Sequence, residues 1–311
     1  MSKIGIAFSN NTDTDPFIRL GKKRSVYEDL IMKCVVKSLS CVVVTTRTYK
    51  GNALFKGFWE FIGEGHLKFR DKLIKLDLVY DRSASKFFPA KSDTLRVVDN
   101  YDFKRLSCDK WLVYKEIGEY MPKTYWIGRQ INLMKVLPEV RTDFIVLKPN
   151  NGLKGLGIFI GSKVDSLKFD FLEKRPLYIA QEFVDTKKGI EGIVSGFHDL
   201  RMVVINQKIV WSHVRTPSQG NLKANVAQGG RIMEVDTEIL PEKIKQITQK
   251  IAKELYTRYD NPLFSVDFGV DANGKAFVFE INDQVGFPKP GMRAKDLFLD
   301  EMIVNFKSKI K

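Results

Sequence analysis

The sequence predicts a small N-terminal α/β domain followed by an α+β region built on antiparallel sheets. Strand-like and helix-like segments alternate through the first 105 residues, a pattern typical of a sheet covered by helices. Beyond residue 105, short runs rich in β-branched and aromatic residues follow one another across turn-forming residues, which indicates antiparallel strands. A chain of 311 residues is also too long for one ordinary core. We therefore predict three units, over residues 1–105, 106–184 and 185–311.

The N-terminal elements follow from the positions of the apolar residues. Residues 4–9 and 41–46 are short apolar runs, the second rich in β-branched residues, and both predict strands. Between them a helix is expected over about residues 26–38, with Leu30, Ile31, Cys34 and Val35 on its inner face. Residues 76–81 predict a third strand. Strand, helix and strand in this order favour a small α/β domain.

The remainder of the chain predicts three helices and a series of strands. Asp109 is placed to cap a helix over about residues 110–120, which ends at Met121 because the residue before a proline avoids helical geometry. An apolar stripe predicts an amphipathic helix over residues 241–259, and a last helix is expected over residues 294–306. Strands are predicted at residues 124–127, 144–149, 157–161, 177–183, 199–206, 207–215, 264–271 and 275–282.

Composition excludes some classes of protein. No apolar run approaches the roughly 20 residues of a membrane span, and the N-terminal segment lacks an apolar signal core. Three cysteines without metal-type spacing favour reduced thiols in a cytoplasmic protein. The formal charge of +14 is compatible with an anionic partner, but a lysine-rich solvated surface explains it more simply. Aromatic and basic residues do not interleave as a nucleic-acid platform requires, so a nucleic-acid partner is not expected.

A glycine loop predicts a phosphate site. Residues 150–157 read Asn-Asn-Gly-Leu-Lys-Gly-Leu-Gly and join two predicted strands. Three glycines allow a sharp turn that presents backbone N–H groups to an anion, and Lys148 on the preceding strand adds a point charge. An ordinary glycine-rich hairpin is the alternative, because lone glycine patterns are weak signals.

Two predicted strands near the end of the chain carry candidate metal ligands. Asp267 precedes and Glu280 follows the turn at residues 271–274, whose Asn-Gly pair is a strong hairpin signal, so the two carboxylates are expected to face each other. Asn282 lies two residues after Glu280 and therefore on the same face. Carboxylate and amide oxygens suit Mg²⁺. The alternative, a solvated sheet face, is less favoured because Phe277, Phe279 and Ile281 are expected on the opposite, apolar face.

These stretches resemble the ATP-grasp superfamily, and within it the RimK-like and glutathione-synthetase-like carboxylate–amine ligases. The matching motifs are Asp109-Lys110, then a helix and Pro122-Lys123-Thr124, then Gln181-Glu182-Phe183-Val184 as a hinge, and Asp199-Leu200-Arg201. The resemblance covers roughly residues 100–291. It implies an ATP-grasp fold of two subdomains with antiparallel sheets after the N-terminal α/β domain.

The resemblance also implies roles for individual residues. Those expected to contact ATP are Lys110, Lys148, Gly152, Gly155, Gly157, Glu182, Phe183, Val184, Asp199, Lys223 and Asn225. Arg215 and Arg201 are expected to stabilise charge on the transferred phosphoryl group, although Arg201 has an alternative as half of a cross-strand ion pair. Asp267, Glu280 and Asn282 fall on the family's Mg²⁺ ligands, with Mn²⁺ as a second candidate. Lys223 stands where the family often has arginine, and Asp185 is a weaker candidate for the ribose contact.

The activity implied by the resemblance is ATP-dependent joining of a carboxylate substrate to an amine substrate through an acyl phosphate, with release of ADP and phosphate. Two alternatives stay open. One is a non-catalytic nucleotide-binding protein similar to spore-coat relatives, and the other is an ATP-grasp kinase or carboxylase acting on a small molecule. The amine substrate is expected to be an amino acid, a peptide or a protein tail. The residues do not identify the acid, the amine or the oligomeric state, and no membrane partner is expected.

Overall fold

The computed structural model describes residues 1–9, 15–18, 20–83, 94–129, 132–152, 155–171, 177–218 and 230–310. Within these ranges the strands form three sheets, which are packed by four clusters of buried apolar residues, one of them shared by the first and third sheets. The predicted succession of an α/β region and antiparallel sheets is confirmed, since the first sheet contains parallel pairs and the strand pairs of the later sheets are antiparallel.

The first sheet contains the three strands that the sequence predicted. They are β1 (Ser2–Phe8), β2 (Leu39–Thr45) and β6 (Leu78–Asp81), and the helix α1 (Arg24–Val36) links the first two. Both β2 and β6 pair with β1 in parallel, on its opposite sides. Leu30, Ile31 and Cys34 of α1 are buried as expected. The expectation that Val35 lies on the inner face is wrong, because Val35 is 58% exposed.

The sequence prediction missed a β-meander between β2 and β6. It comprises β3 (Tyr49–Gly51), β4 (Leu54–Gly63) and β5 (His66–Lys75), and β4 pairs antiparallel with both of the others. The turns that join them use residues with positive φ, among them Asn52 at 51° and Gly65 at 74°. This Asn and Gly chemistry was a readable turn signal.

Two short helices lead into the second sheet. They are α2 (Tyr101–Cys108), which was not predicted, and α3 (Lys110–Ile117). Asn100 caps α2 by accepting a hydrogen bond from the Phe103 N–H at 2.9 Å, and Asp109 caps α3 by accepting one from the Leu112 N–H at 2.9 Å. The cap predicted at Asp109 is confirmed, and it places Lys110 at the first turn of α3.

The second sheet is wholly antiparallel, with the strand order β7-β10-β8-β9. Its elements are β7 (Thr124–Gly128), α4 (Leu133–Val136), β8 (Phe144–Pro149), β9 (Phe159–Ser162), α5 (Lys163–Ser166) and β10 (Tyr178–Glu182). The strands β8 and β9 pair on either side of the glycine loop, as the hairpin prediction required.

The third sheet is also antiparallel, in the order β13-β12-β11-β14-β15. Its elements are β11 (Asp199–Ile205), β12 (Lys208–Thr216), β13 (Arg231–Val235), α6 (Glu242–Arg258), β14 (Phe264–Val270) and β15 (Ala276–Asn282), followed by α7 (Lys295–Ile310). The apolar stripe of α6 packs against one face of this sheet. Phe298 and Phe306 of α7 pack with Trp211 of β12 and also with Ile4 and Tyr80 of the first sheet, so α7 joins the two sheets in one core.

None of the helices in the described ranges is long and apolar enough to cross a membrane.

Candidate active site

A cavity of about 400 Å³ lies between the second and third sheets. It gathers thirteen of the residues that the sequence singled out: Lys110, Lys148, Gly152, Gly155, Glu182, Phe183, Val184, Asp199, Arg201, Arg215, Asp267, Glu280 and Asn282. Residues separated by up to 172 positions thus share one space, and it is large enough for a nucleotide-sized ligand.

One side of the cavity carries two lysines. Lys110 Nζ lies 2.9 Å from Glu280 Oε1 and donates to the Gly152 carbonyl at 3.0 Å. Lys148 Nζ donates to Gln181 Oε1 at 2.7 Å and lies 5.6 Å from the centroid of the Phe279 ring. Burial lowers the pKa of Lys148 to about 8, although Glu280 acts in the opposite direction. These two cations and the adjoining glycines suit a polyphosphate.

The loop after β8 is held by Asn150, which the sequence prediction did not assign to the site. Asn150 is buried, its carbonyl accepts the Lys110 N–H at 3.1 Å, and its Oδ1 accepts the Trp111 N–H at 2.8 Å. The loop and the start of α3 are therefore fixed relative to one another. Gly155 has φ of 72°, which favours glycine at that position of the loop.

Of the predicted nucleotide contacts that the structure describes, Gly157 is not among the residues that line the cavity. Gly157 has φ of 70°, and its carbonyl accepts a hydrogen bond from the Tyr178 hydroxyl at 3.2 Å, so its conformation serves the turn into β9. Lys223 and Asn225 lie outside the described residues.

The segment from Gln181 to Val184 forms the edge of the cavity where β10 ends. Gln181 donates from Nε2 to Thr124 Oγ1 at 2.8 Å, which fixes the amide whose oxygen accepts from Lys148. Glu182 Oε1 accepts the Arg141 N–H at 3.0 Å. Part of the Glu182 carboxylate is thus already engaged in positioning the hinge.

The walls around this edge are largely apolar. They include Val146, Leu156, Ile158, Ile160, Phe183, Phe197 and Phe279. An apolar slot beside a cationic end matches the two chemical halves of a nucleotide.

The floor of the cavity is a network of ion pairs on three adjacent strands. Arg201 donates to both oxygens of Asp267, from Nε to Oδ1 and from Nη2 to Oδ2, each at 2.6 Å. Arg215 Nη2 donates to the same Asp267 Oδ2 at 2.7 Å and also pairs with Asp199. The cross-strand ion pair that stood as the alternative for Arg201 is therefore present, and β-sheet register explains it, since Arg201 is directly opposite Asp267.

This network controls the protonation of its acids. Burial acts to raise the pKa of Asp267, but the guanidinium groups of Arg201 and Arg215 outweigh it and hold that pKa well below its usual range. Burial raises the pKa of Asp199 above its usual value, against the effect of Arg215. Burial and the two arginines lower the pKa of His213, which lies opposite Arg201, to about 3. The floor thus combines fixed positive charge with a permanently ionised carboxylate.

Glu280 and Asn282 adjoin this floor. Glu280 is directly opposite Asp267 in the pairing of β15 with β14, as the hairpin prediction required. Burial acts to raise the pKa of Glu280, but Lys110 and Lys148 together outweigh it, and the pKa is lowered. Asn282 donates from Nδ2 to Asp267 Oδ2 at 3.4 Å, which leaves its Oδ1 oxygen as an acceptor.

The donor set fits a hard divalent cation in chemical type. Two ionised carboxylates and an amide oxygen lie together, and oxygen ligands of this kind suit Mg²⁺. No group of three or more His, Cys, Asp or Glu suited to a metal occurs in the described ranges, so any metal here must draw further ligands from substrate or water. Asp267 Oδ2 already accepts three donors, whereas Oδ1 accepts one, so Oδ1 is its more available oxygen.

The expectation that Phe279 lies on the face opposite the candidate metal ligands is wrong. The pairing of β14 with β15 shifts register between Asp267 and Phe268, whose partners are Glu280 and Val278, so Phe279 is an extra residue in a β-bulge. Phe279 and Glu280 consequently both line the cavity, while Val278 and Ile281 are buried in the core beneath the sheet. The bulge brings an aromatic ring against Lys148.

His198 lines the cavity but acts as a brace within the protein. Its Nδ1 is 3.1 Å from the Gly196 carbonyl, and its Nε2 accepts the Val270 N–H at 3.2 Å, which assigns the neutral tautomer protonated at Nδ1. Burial lowers its pKa. The histidine therefore joins the loop before β11 to the end of β14.

Several other proteins are similar in sequence to parts of this chain. A family model described as the RimK-like ATP-grasp domain matches residues 104–304. A probable alpha-L-glutamate ligase of Haemophilus influenzae is 24% identical over 153 residues, which are 47% of this chain and 47% of that protein. A glutathione synthetase of Neisseria meningitidis serogroup A is 30% identical over 115 residues, 37% of this chain and 34% of that protein. The chain therefore spans about half the length, or less, of these two relatives.

A solved structure extends the likeness of fold to nearly the whole chain. D-alanyl-alanine synthetase A of Vibrio cholerae O1 biovar eltor superposes with a TM-score of 0.66 at 12% identity, over 99% of this chain and 98% of that one. At this identity the likeness shows a common fold, and it includes the N-terminal sheet as well as the two sheets that enclose the cavity.

Proposed function

The chain belongs to the RimK-like ATP-grasp family, and from that premise we propose that it is an ATP-dependent ligase that joins a carboxylate to an amine. The observation that carries the proposal is the composition of one cavity. Its apolar slot, its two lysines and its carboxylate–arginine floor meet in one space. Such a space accommodates a nucleotide with its phosphates directed at the floor.

The proposed reaction has two steps. The substrate carboxylate attacks the γ-phosphorus of ATP and displaces ADP, which gives an acyl phosphate. The amine then attacks the acyl carbon, loses a proton and displaces phosphate, which gives an amide. The side chains of the cavity form no covalent bond in either step, so their contribution is alignment and stabilisation of charge.

The cations of the cavity have separate roles in this scheme. Lys110 and Lys148, on the side of the glycine loop, neutralise phosphate oxygens of the nucleotide. Arg215 and Arg201 stabilise the transferred phosphoryl group and the oxyanion of the tetrahedral intermediate. Because Asp267 holds both guanidinium groups by short hydrogen bonds, they are oriented before substrate arrives.

A divalent metal fits the same scheme. Asp267, Glu280 and Asn282 are the residues that would hold it, and Mg²⁺ or Mn²⁺ there would offset the charge of the nucleotide phosphates. Glu280 is the more accessible of the two carboxylates, since its side chain is 30% exposed and that of Asp267 is 3% exposed.

The names of the relatives favour an amino acid as one substrate. The two bacterial relatives and the solved structure are named for glutamate ligation, glutathione synthesis and D-alanyl-alanine synthesis. All three names describe a substrate with an amino group and a carboxylate, and we extend that chemical class to this chain. The predicted cytoplasmic location remains a prediction.

Product analysis tests the proposal. The protein is incubated with ATP, Mg²⁺ and pairs of amino acids, and nucleotide, phosphate and amide products are followed by chromatography and mass spectrometry. We expect ADP and phosphate in equal amounts with a new amide. AMP and pyrophosphate would contradict the acyl-phosphate route, and a stable phosphorylated acid without amide would indicate a kinase.

A pair of variants connects the activity to the cavity. Glu280→Gln is expected to abolish turnover while the far-ultraviolet circular dichroism stays unchanged. Glu242→Gln, at an acid on α6 whose side chain is 66% exposed, is the matched control and is expected to retain full turnover. Normal turnover by Glu280→Gln would contradict the metal assignment.

A further inference from the structure

The first sheet has a topological switch point at the carboxyl ends of β1 and β6. The crossover through α1 places β2 on one side of β1, whereas β6 pairs with the other side, so the chain changes direction between β1 and β6. In open α/β sheets, ligands bind at such a switch point, outside the carboxyl ends of the strands. Arg82 is the first residue after β6 and lies at this point.

The side chain of Arg82 is held on an aromatic frame. Its Nε donates to the Tyr27 hydroxyl at 3.1 Å and its Nη1 to the Tyr80 hydroxyl at 3.2 Å. The guanidinium carbon is 5.4 Å from the centroid of the Tyr80 ring and 5.7 Å from that of Phe287. The rings of Tyr27 and Phe287 stack with centroids 4.6 Å apart. These contacts fix the plane of the guanidinium.

The frame itself contains no carboxylate, and Asp283 acts on Arg82 only through its charge, without an ion pair between them. The partners of Arg82 are neutral hydroxyl groups and aromatic faces, and within the described parts of the chain no carboxylate forms an ion pair with it. Two of its five N–H groups are engaged by the tyrosines, so three remain without a described acceptor. Arg82 is partly buried, so the residue is not wholly enclosed by its aromatic frame.

Neighbouring acids are occupied elsewhere. Asp81 pairs with Lys104, and Asp283 accepts from the Ser107 hydroxyl at 2.9 Å and from Gln284 at 3.2 Å. Gln284 also donates to the Asp81 carbonyl at 3.1 Å and lines the active-site cavity. Arg82 therefore directly follows Asp81, whose carbonyl group is hydrogen-bonded to a side chain of the cavity wall. By contrast, Arg201 and Arg215 in the cavity floor are both paired with carboxylates.

We propose that Arg82 binds the non-reacting carboxylate of the amino-acid substrate at the carboxyl ends of β1 and β6. This inference rests on the ligase function proposed above and deepens it. A planar guanidinium with N–H groups to spare matches a carboxylate in a bidentate geometry. Rigid aromatic support reduces the conformational entropy lost on binding. The adjacent cavity then receives the reacting end of the same substrate.

Calorimetric titration with L-glutamate as the probe tests this site. The wild-type protein, saturated with a non-hydrolysable ATP analogue and Mg²⁺, is expected to bind L-glutamate. Arg82→Gln is expected to weaken that binding by about 10- to 100-fold, and Arg82→Lys by less, because the charge is kept and the fork is lost. Arg70→Gln removes an arginine of β5 that pairs with Glu60, and is expected to leave L-glutamate binding unchanged.

Two further probes identify the carboxylate. L-glutamine lacks the side-chain carboxylate and L-isoglutamine lacks the α-carboxylate. The carboxylate that Arg82 holds is the one whose loss weakens binding, relative to L-glutamate, in wild type but not in Arg82→Gln. Equal L-glutamate affinity in wild type and Arg82→Gln, or absence of wild-type binding, would overturn the proposal. The melting temperature of each variant distinguishes a structural role of Arg82 from a binding role. A purely structural role would lower stability without changing the L-glutamate affinity of the folded protein.

The proposed ligase function and the proposed Arg82 site can be refuted separately. Arg82-dependent L-glutamate binding with no ADP release when L-glutamate is paired with each amino acid would retain the site and contradict the ligase. L-glutamate-dependent ADP release that Arg82→Gln leaves unchanged would retain the ligase and contradict the site.

Discussion

Replacing Asp267 with asparagine is expected to destabilise the protein far more than replacing Glu280 with glutamine. Both changes remove one negative charge at nearly constant volume, so a new cavity contributes little to either. The two carboxylates differ in burial and in partners. Asp267 accepts hydrogen bonds from two guanidinium groups at 2.6–2.7 Å with its side chain 3% exposed. Glu280 has one ion pair, to Lys110, and its side chain is 30% exposed.

The magnitudes follow from these contacts. Removing one partner of a buried ion pair costs about 3–5 kcal/mol, because the other charge is left buried and uncompensated. Asp267→Asn leaves both Arg201 and Arg215 in that position, although Asp199 still pairs with Arg215. We therefore expect a loss of about 3–5 kcal/mol in the free energy of unfolding. Loss of a partly exposed pair costs about 0–1 kcal/mol, which is the expectation for Glu280→Gln.

Urea denaturation at pH 7 without nucleotide, followed by tryptophan fluorescence, measures the difference. The midpoint of Asp267→Asn is expected to fall at an unchanged slope, while that of Glu280→Gln stays near wild type. A double-mutant cycle adds a check on the cause, since Arg215→Met should cost less in the Asp267→Asn background than in wild type. An Asp267→Asn variant within about 1 kcal/mol of wild type would refute the assignment of a buried, compensating charge. Glu280→Gln is thus the cleaner probe of metal binding.

Two further predictions concern pH. Only protonated Lys148 attracts phosphate and its pKa is lowered to about 8, so ATP affinity should be constant below pH 7 and fall by up to about tenfold per pH unit above pH 8. Calorimetry should show a weak and pH-independent ATP affinity in Lys148→Met. A wild-type pH profile in that variant would exclude Lys148 as the titrating group. Burial raises the pKa of Asp99 to about 7, so between pH 4 and 7 the folded protein holds a proton that the unfolded chain has released, and stability falls as pH rises through this window. Asp99→Asn, which keeps the Oδ1 acceptor for the Leu263 N–H, should therefore stabilise the protein by about 1–3 kcal/mol at pH 8 and by little at pH 4 in thermal denaturation; an equal effect at both pH values would show that charge is not the cause.

Local patterns predicted most of the elements that form the candidate site. The cap at Asp109, the strands on either side of the glycine loop and the pairing of Asp267 with Glu280 depend on residues close in sequence. Such features are set by hydrogen bonds and side-chain periodicity over one turn or one hairpin. The missed β-meander of residues 49–75 carried comparable signals, with alternating apolar residues and turns at Asn52 and Gly65.

Other features of the site depend on tertiary contacts. The bulge that turns Phe279 into the cavity breaks strand alternation, and no short sequence pattern distinguishes it from a regular hairpin. The sharing of Asp267 between Arg201 and Arg215 depends on the order of three strands in the sheet. The sequence around Arg82 did not predict a site there, because its aromatic frame combines residues 27, 80 and 287.

By itself, the sequence determined the type of each element that it predicted, the change from α/β to antiparallel architecture and the residue types that suit a nucleotide and a metal. Periodicity, capping and turn chemistry are short-range properties, so they are legible along the chain. Only the tertiary structure decided which charges neutralise one another and which remain available. Ion pairing depends on distances between separate strands and on the removal of water from them, and both arise only when the sheets pack. That is why Asp267 and Glu280, similar as sequence signals, differ so much in their surroundings.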